Sequence, residues 1–244
     1  MLRVPAGWGS DPLSDYLTGA HQNVLAVFAN RQDMFSVLIR VDRAYRMIRD
    51  NLVNPESIPS SWFVLRAHAC WMASAGLAAG GQVYECYPVL RACIENSVYG
   101  FHVHANPEST EIWGAREKTE KGKPRVSTEF AITPLMEELR QADPQTGRAT
   151  KTLYDLTVTL GGHPNPLGLS TNWRIEIEGS KTTHRTLYLN PDPLAQGLAI
   201  KLVGEVGVCT LATFKNVWPE RYELVGLSDE LRELKTVVDR LGRL

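Results

Sequence analysis

The side chains best suited to acid–base or anion chemistry gather in residues 84–107, which read YECYPVLRACIENSVYGFHVHANP. An α-helix turns by about 100° per residue, so Arg91, Glu95 and His102 would fall within about 40° of one another. A guanidinium can bind an anion, and a carboxylate or an imidazole can act as a base. The spacing therefore predicts a polar pocket along one helix edge, with these three residues as catalytic candidates.

The same residues also fit a structural role. Arg91 and Glu95 are four residues apart, which is the spacing at which opposite charges pair on a helix. The stripe borders an apolar face, where half-buried polar groups need partners. An ion pair that holds a neighbouring loop is therefore the alternative to a pocket, and the sequence leaves both open.

A second polar cluster, GGHPNP, occupies residues 161–166. One interpretation is a helix stop in which His163 and Asn165 bond to nearby backbone. The other is that this loop folds over the 83–104 helix and adds His163 to the Arg91 stripe as a further catalytic candidate. Tyr154, on the helix leading into the loop, could reach the same pocket, so Tyr154 and Asn165 are predicted as binding residues.

The elements that would position these groups are helices along almost the whole chain. Apolar residues from 13 to 52 recur at three-, four- and seven-residue spacing, which predicts one long helix. Breaks at Gly, Pro or Asn-Pro separate further predicted helices at 60–81, 83–104, 109–120, 128–143, 145–160, 194–214 and 228–243. The first of these is rich in alanine, so a neighbouring backbone could approach it closely. No linker divides the series, so we predict an all-α helical bundle in a single domain, 1–244.

Two segments stand apart from this pattern. Residues 174–178 and 186–189 alternate with period two around Gly179-Ser180-Lys181, which predicts a small β-hairpin near 173–189. The last helix carries apolar residues at 4-3-4-3 spacing from Leu227 to Leu241, over a length too short for a free coiled coil. It should dock on the body or on a second copy, so the first and last helices are the candidate homodimer surfaces.

The composition excludes some classes of protein. A net charge of −1 over 244 residues creates no whole-protein electrostatic field that would attract nucleic acid or an acidic membrane.

The most apolar window, 194–214, is interrupted by Lys201 and Glu205, which favours a buried core helix with a weak internal ion pair over a membrane span. The N-terminus has no signal-peptide run, so we expect a cytoplasmic protein. No cofactor or metal motif occurs, and the four cysteines are expected to be reduced core thiols.

Two motifs carry a resemblance to a known group of proteins. LRACIENSVYGFHVHANPE (residues 90–108) and YDLTVTLGGHPNPLG (residues 154–168) resemble uncharacterised bacterial helical proteins with the HEPN-like all-α fold. HEPN-like nucleases are metal-independent RNases of toxin and phage-defence systems, and their motif is an Arg followed after four to six residues by a His. No histidine here has an Arg at that distance, and Asn96 stands at the position that matches Arg91. The resemblance implies the fold, and Arg91 is the one residue that it carries over.

Three functions remain open at this point. The first is a regulatory or binding protein in which Arg91, Glu95 and His163 form a structural cluster or bind a small anion. The second is an RNase-like or other hydrolytic enzyme of a bacterial defence or stress system, with Glu95, His102 or His163 as acid or base and Arg91 stabilising phosphate. The third is a subunit of a larger assembly that is recognised through the C-terminal helix.

Overall fold

The computed structural model describes residues 4–52, 58–118, 120–162 and 173–241. It is mostly α-helical with one small antiparallel hairpin, so the predicted fold class is confirmed. The elements in chain order are α1 (Pro12–Asn30), α2 (Gln32–Asp50), α3 (Ile58–Ala79), α4 (Cys86–Ala105), α5 (Ser109–Gly114), α6 (Gly122–Glu129), α7 (Ile132–Ala142), α8 (Pro144–Thr157), β1 (Trp173–Glu178), β2 (Lys181–Thr186), α9 (Pro193–Lys215), α10 (Pro219–Leu224) and α11 (Leu227–Arg240).

The prediction of one helix over residues 13–52 is wrong, because the chain breaks between α1 and α2. Arg31 leaves the helical region at φ −133° and ψ 54°. The rings of Phe28 and Phe35 pack edge to face across the break, with centroids 5.0 Å apart. Periodicity missed the break because the apolar spacing continues through it and neither Gly nor Pro marks it.

The α3–α4 hairpin confirms the close approach expected from the alanine-rich segment. The Ser60 hydroxyl on α3 donates to the Gly100 carbonyl on α4 at 2.8 Å. A Cβ at Gly100 would lie 3.1 Å from the Cβ of Phe63 and 2.7 Å from the ring of Phe214 on α9. Gly81, with φ of 88°, turns the chain between the two helices, and α4 begins close to the predicted start.

The middle of the chain differs from prediction in its boundaries. α6 forms where a break was expected, because Pro124 falls in the first turn of the helix, where a missing N–H is tolerated. α5 ends at Gly114, well short of residue 120, and α7 begins at Ile132 instead of residue 128. α8 is capped by Asp143, whose side chain accepts from the amides of Gln145 and Thr146. The helical path continues past Thr157 and ends at Gly161, where φ is 146°.

The hairpin is present, but its second strand is earlier than predicted. β2 covers Lys181–Thr186 and pairs with β1 so that Glu178 lies opposite Lys181. This register leaves a two-residue turn, in which Gly179 adopts φ of 60°. The sequence of β2, KTTHRT, shows no alternation of apolar and polar residues, and both strands are largely exposed. The two-residue turn therefore sets the register of the hairpin, since no buried face requires an apolar pattern.

α9 is the central helix of the core. It packs against α2, α3, α4, α8 and α11. Among the described residues it is the one helix long and apolar enough to cross a membrane, but 78% of its apolar window is buried inside the chain, as in a core helix. The predicted internal ion pair is present and long, with Lys201 Nζ 3.9 Å from Glu205 Oε1.

Glycines on α9 allow α2 and α3 to approach its backbone. A Cβ at Gly207 would lie 2.5 Å from Val41 Cγ1 on α2 and 2.6 Å from Trp71 Nε1 on α3. The indole N–H of Trp71 donates to the Val203 carbonyl at 2.9 Å. A bulky ring can bond to a helix carbonyl here only because no side chain stands between them.

α11 begins at Leu227 after Gly226, which has φ of 70°. The hydroxyl of Ser228, in the first turn of α11, donates to Glu223 at 2.6 Å. The apolar face of α11 (Leu227, Leu231, Leu234 and Val238) is buried against α9 and α2. This face is therefore used within one chain. The four cysteines are free and buried, as predicted.

We expect Gly207→Ala to lower the free energy of unfolding by about 1–3 kcal/mol, because the added methyl overpacks Val41 and Trp71. Helix propensity alone would favour the alanine, so the sign of the change distinguishes the two effects. Chemical denaturation measures it. Gly114→Ala is the matched control, since no atom lies within 4 Å of the added Cβ. Equal stability of Gly207→Ala and wild type would contradict the packing argument.

Candidate functional site

The three candidates on α4 do not share one set of partners. Arg91 and Glu95 face Tyr154 on α8, whereas His102 contacts carboxylates on α6 and α7. His163 and Asn165 lie outside the described residues. The structure therefore brings together Arg91, Glu95 and Tyr154, and it places His102 in a second cluster.

The first cluster is a compact ion pair covered by an aromatic ring. Arg91 Nε lies 2.8 Å from Glu95 Oε1, and the two side chains are 22% and 24% exposed. The guanidinium carbon lies 5.4 Å from the centroid of the Tyr154 ring, and the Tyr154 hydroxyl donates to Glu95 Oε1 at 3.4 Å. The predicted i,i+4 pair and the reach of Tyr154 are both present in the structure.

The electrostatics of this cluster hold its charges in place. Burial works against the charged form of Arg91, but the hydrogen bond and charge of Glu95 outweigh it and raise the pKa of Arg91. Burial raises the pKa of the Tyr154 hydroxyl, and the charge of Arg91 partly opposes that rise. Because Glu95 already balances Arg91, the cluster carries little net charge, and anion binding by Arg91 stays a prediction.

The second cluster surrounds His102, which is buried. Its Nδ1 lies 2.7 Å from Glu138 Oε2, and its Nε2 lies 3.2 Å from Glu129 Oε1. The Ser109 hydroxyl donates to Glu129 at 2.5 Å, and the Asn106 amide donates to Glu138 at 2.7 Å. These groups come from α4, α5, α6, α7 and the α4–α5 junction, so the cluster joins the three short helices α5, α6 and α7 to the core helix α4.

Sequence reasoning missed the partners of His102, although part of a signal was there. Asn106 and Ser109 follow His102 by four and seven residues, the spacing of one helix face. Glu129 and Glu138 belong to separate helices, and no local pattern connects them with His102. Only the packing of α6 and α7 brings them to it.

Ser109, His102 and Glu138 are arranged in space like the nucleophile, the base and the orienting carboxylate of a catalytic triad. Ser109 Oγ lies 3.1 Å from His102 Nε2. However, Ser109 is 0% exposed, and its hydroxyl donates to Glu129. A substrate cannot reach this oxygen in the folded chain, so the cluster acts as a structural tie.

A cavity of about 600 Å³ lies elsewhere, between α8, α9 and α11. Most of its lining is apolar. The apolar side chains are Ala149, Leu153 and Leu156 from α8, Val208, Cys209 and Ala212 from α9, and Leu231 and Val238 from α11. α8 and α11 both pack on α9, and the gap between them forms the cavity. It draws on three distant segments, so no motif in the sequence could indicate it.

Charged residues surround the cavity: Arg148, Glu205, Lys215, Arg232, Lys235 and Asp239. Lys215 pairs with Glu223 at 3.1 Å, and Arg232 pairs with Asp229. Among the described residues, no ion pair engages Arg148 or Lys235. Burial raises the pKa of Glu205, a rise that Lys201 opposes and Asp239 increases. The cavity therefore has two cations available for a ligand.

No family model matches this chain, and neither a curated protein nor a solved structure matches it. The resemblance to the HEPN-like fold stays a prediction. Within residues 4–52, 58–118, 120–162 and 173–241, no group of three or more His, Cys, Asp or Glu side chains could hold a metal ion.

We expect His102→Ala to lower the free energy of unfolding by about 2 kcal/mol, because it breaks the contacts of the buried imidazole with Glu138 and Ser109. Thermal unfolding followed by circular dichroism measures the effect. His21→Ala, at an exposed position on α1, is the control and should change stability by less than about 0.5 kcal/mol. A His102→Ala protein as stable as wild type would contradict the structural role.

We expect the His102 cluster to lose stability in acid. The hydrogen bond from Ser109 lowers the pKa of Glu129 below its ordinary value of 4.5, and His102 adds to this. A carboxyl whose pKa is lowered by folding contributes stability above its unfolded pKa and loses it as the pH falls through the folded value. Urea denaturation at several pH values should show a fall below about pH 4.5 that is shallower in Glu129→Gln. Glu108→Gln, which removes an exposed carboxyl outside the cluster, is the control, and identical pH slopes in all three proteins would contradict the assignment.

Proposed function

We propose that this chain is a binding protein whose ligand is a small amphipathic anion, an apolar chain that ends in a carboxylate or a similar group. The observation that carries the proposal is the apolar cavity between α8, α9 and α11. Arg148 and Lys235 line it and join no ion pair with any other described residue. A volume of about 600 Å³ lies within the range of sites for small organic ligands. This is the binding or regulatory class that the sequence favours, with the anion at a different place from Arg91.

The charges indicate how such a ligand would lie. Thr150 contacts Cys209 at 3.3 Å, and Asn216 contacts Asp143 at 3.4 Å, so α8 and α9 run antiparallel. Arg148 therefore lies toward the C-terminal end of α9, about 9 Å along the axis from the acidic Glu205. An anionic head group would be attracted to Arg148 and repelled from Glu205. The apolar chain would lie between Leu153, Val208 and Leu231.

The chemistry of the lining supports binding over catalysis. Burial raises the pKa of the Cys209 thiol to about 11, so this thiol is a poor nucleophile at neutral pH. The Ser228 hydroxyl donates to Glu223, and none of the histidines that the structure describes lines the cavity. A nucleophile beside a base, the arrangement that covalent catalysis requires, does not occur among these lining residues.

Calorimetric titration with three probes tests the ligand class. Dodecanoate combines an apolar chain with a carboxylate and should bind. Dodecyltrimethylammonium keeps the chain and reverses the charge, and acetate keeps the charge without the chain. Both should bind at least tenfold more weakly, because each lacks one of the two interactions. Equal binding of the cationic and anionic probes, or no binding of dodecanoate, would contradict the proposal.

Substitutions locate the site. Ala149→Trp should abolish dodecanoate binding by filling the cavity, with the helical circular dichroism retained. Arg148→Gln should weaken binding about tenfold, since it removes a charge-assisted hydrogen bond. Arg43→Gln, at an exposed arginine on α2, is the matched control and should bind as wild type. If Arg91→Gln weakens binding and Arg148→Gln does not, the anion binds at the Arg91 cluster and the cavity assignment is wrong.

A further inference from the structure

One side of α3 presents an unbroken apolar stripe to solvent. Its members are all exposed and fall within about 80° of the helix circumference; they are Ile58, Trp62, Leu65, Ala69, Met72 and Gly76. Their spacing is 4-3-4-3-4, the heptad spacing of a helix that packs along another helix. One charged residue, Arg66, lies beside the stripe, and α3 contains no acidic residue.

The opposite side of α3 is also apolar and is already buried. Val64, Ala67 and Trp71 pack in the core, and α3 contacts α1, α2, α4 and α9. A helix that is apolar on all sides is normally covered on all sides. Within residues 4–52, 58–118, 120–162 and 173–241, no element covers the exposed stripe, so it is a surface that is open for a partner.

The order of side chains in the stripe fits a second copy of itself. If two α3 helices run antiparallel about a two-fold axis at residue 67, large residues lie opposite small or flexible ones. The facing pairs are Ile58 with Gly76, Trp62 with Met72, and Leu65 with Ala69. Each pair joins an a position with a d position, as antiparallel helix packing requires. A parallel pairing would instead place Trp62 against Trp62 and leave Gly76 facing Gly76.

The area also suits a dimer. The dimer would cover the exposed parts of these six residues and the stem of Arg66 on each copy. The solvent-accessible area buried in this way is on the order of 1,000 Å² for the two copies together, the size at which specific interfaces begin. α3 is already folded and held by its neighbours in each copy, so pairing has no helix-nucleation cost. We propose that this protein forms a two-fold symmetric homodimer through antiparallel packing of α3 on α3.

This inference is independent of ligand binding in the cavity. It also places the dimer contact on a helix other than the two that the sequence suggests. The apolar face of α11 is buried within the chain, whereas the α3 stripe remains open.

Light scattering coupled to gel filtration tests the dimer. Wild type should show about twice the mass of one chain, and Leu65→Glu should show the mass of one chain with unchanged helical circular dichroism. Ile39→Glu is the matched control, because Ile39 on α2 is 45% exposed, compared with 47% for Leu65, and lies outside the stripe. It should remain a dimer. A monomeric wild-type protein, or a dimer that survives Leu65→Glu, would overturn the proposal.

Disulfide trapping tests the register. The native cysteines are buried, so introduced thiols at exposed positions report on the contact. A mixture of Trp62→Cys and Met72→Cys chains should crosslink on oxidation, because these positions face each other. Trp62→Cys alone should not, since its two copies lie about 15 Å apart along the axis, beyond the reach of a disulfide. Crosslinking of Trp62→Cys with itself would instead show a parallel pair and overturn the antiparallel arrangement.

Discussion

The close contact of α2 and α3 with the glycine surface of α9 is the constraint on which the rest of the structure depends. Trp71 can donate to the Val203 carbonyl only because Gly207 leaves room for its ring. This contact holds α9 at the centre, and α4, α8 and α11 also pack against α9. The cavity follows from the same arrangement, since α8 and α11 both lie on α9 and leave a gap between them.

The polar groups of α4 illustrate how a core helix pairs its charged residues with groups on neighbouring helices. Near its start, Arg91 and Glu95 neutralise each other under the ring of Tyr154. Near its end, His102 lies between two carboxylates from α6 and α7. Both clusters connect α4 to later helices. Hydrogen bonds of this kind add modest net stability but are costly to break, which suits ties between short helices that bury little apolar surface.

The sequence predicted the helices well wherever the apolar period was long and the ends were marked. The end of α3 just before Gly80-Gly81, the start of α4 at Cys86 and the apolar α9 all lie within a few residues of the predicted bounds. It failed at Arg31, where no residue type marks the break. It also misplaced β2, whose polar exposed strand has no alternation to detect. The i,i+4 pair of Arg91 and Glu95 was predictable because both residues lie on one helix. The carboxylate partners of His102 were not, because they come from other helices.

Local spacing in the chain was therefore enough to establish an all-helical class, a buried α9, reduced cysteines and one ion pair, since each depends on residues near one another in sequence or on composition. The tertiary structure alone decided which faces remained open. The α3 stripe and the buried face of α11 both have heptad spacing, and nothing local distinguishes them. One is covered because α9 and α2 pack against it. The α3 stripe is exposed because, within the part of the chain that the structure describes, no helix packs against it. Packing between distant segments is not encoded in the period of either helix.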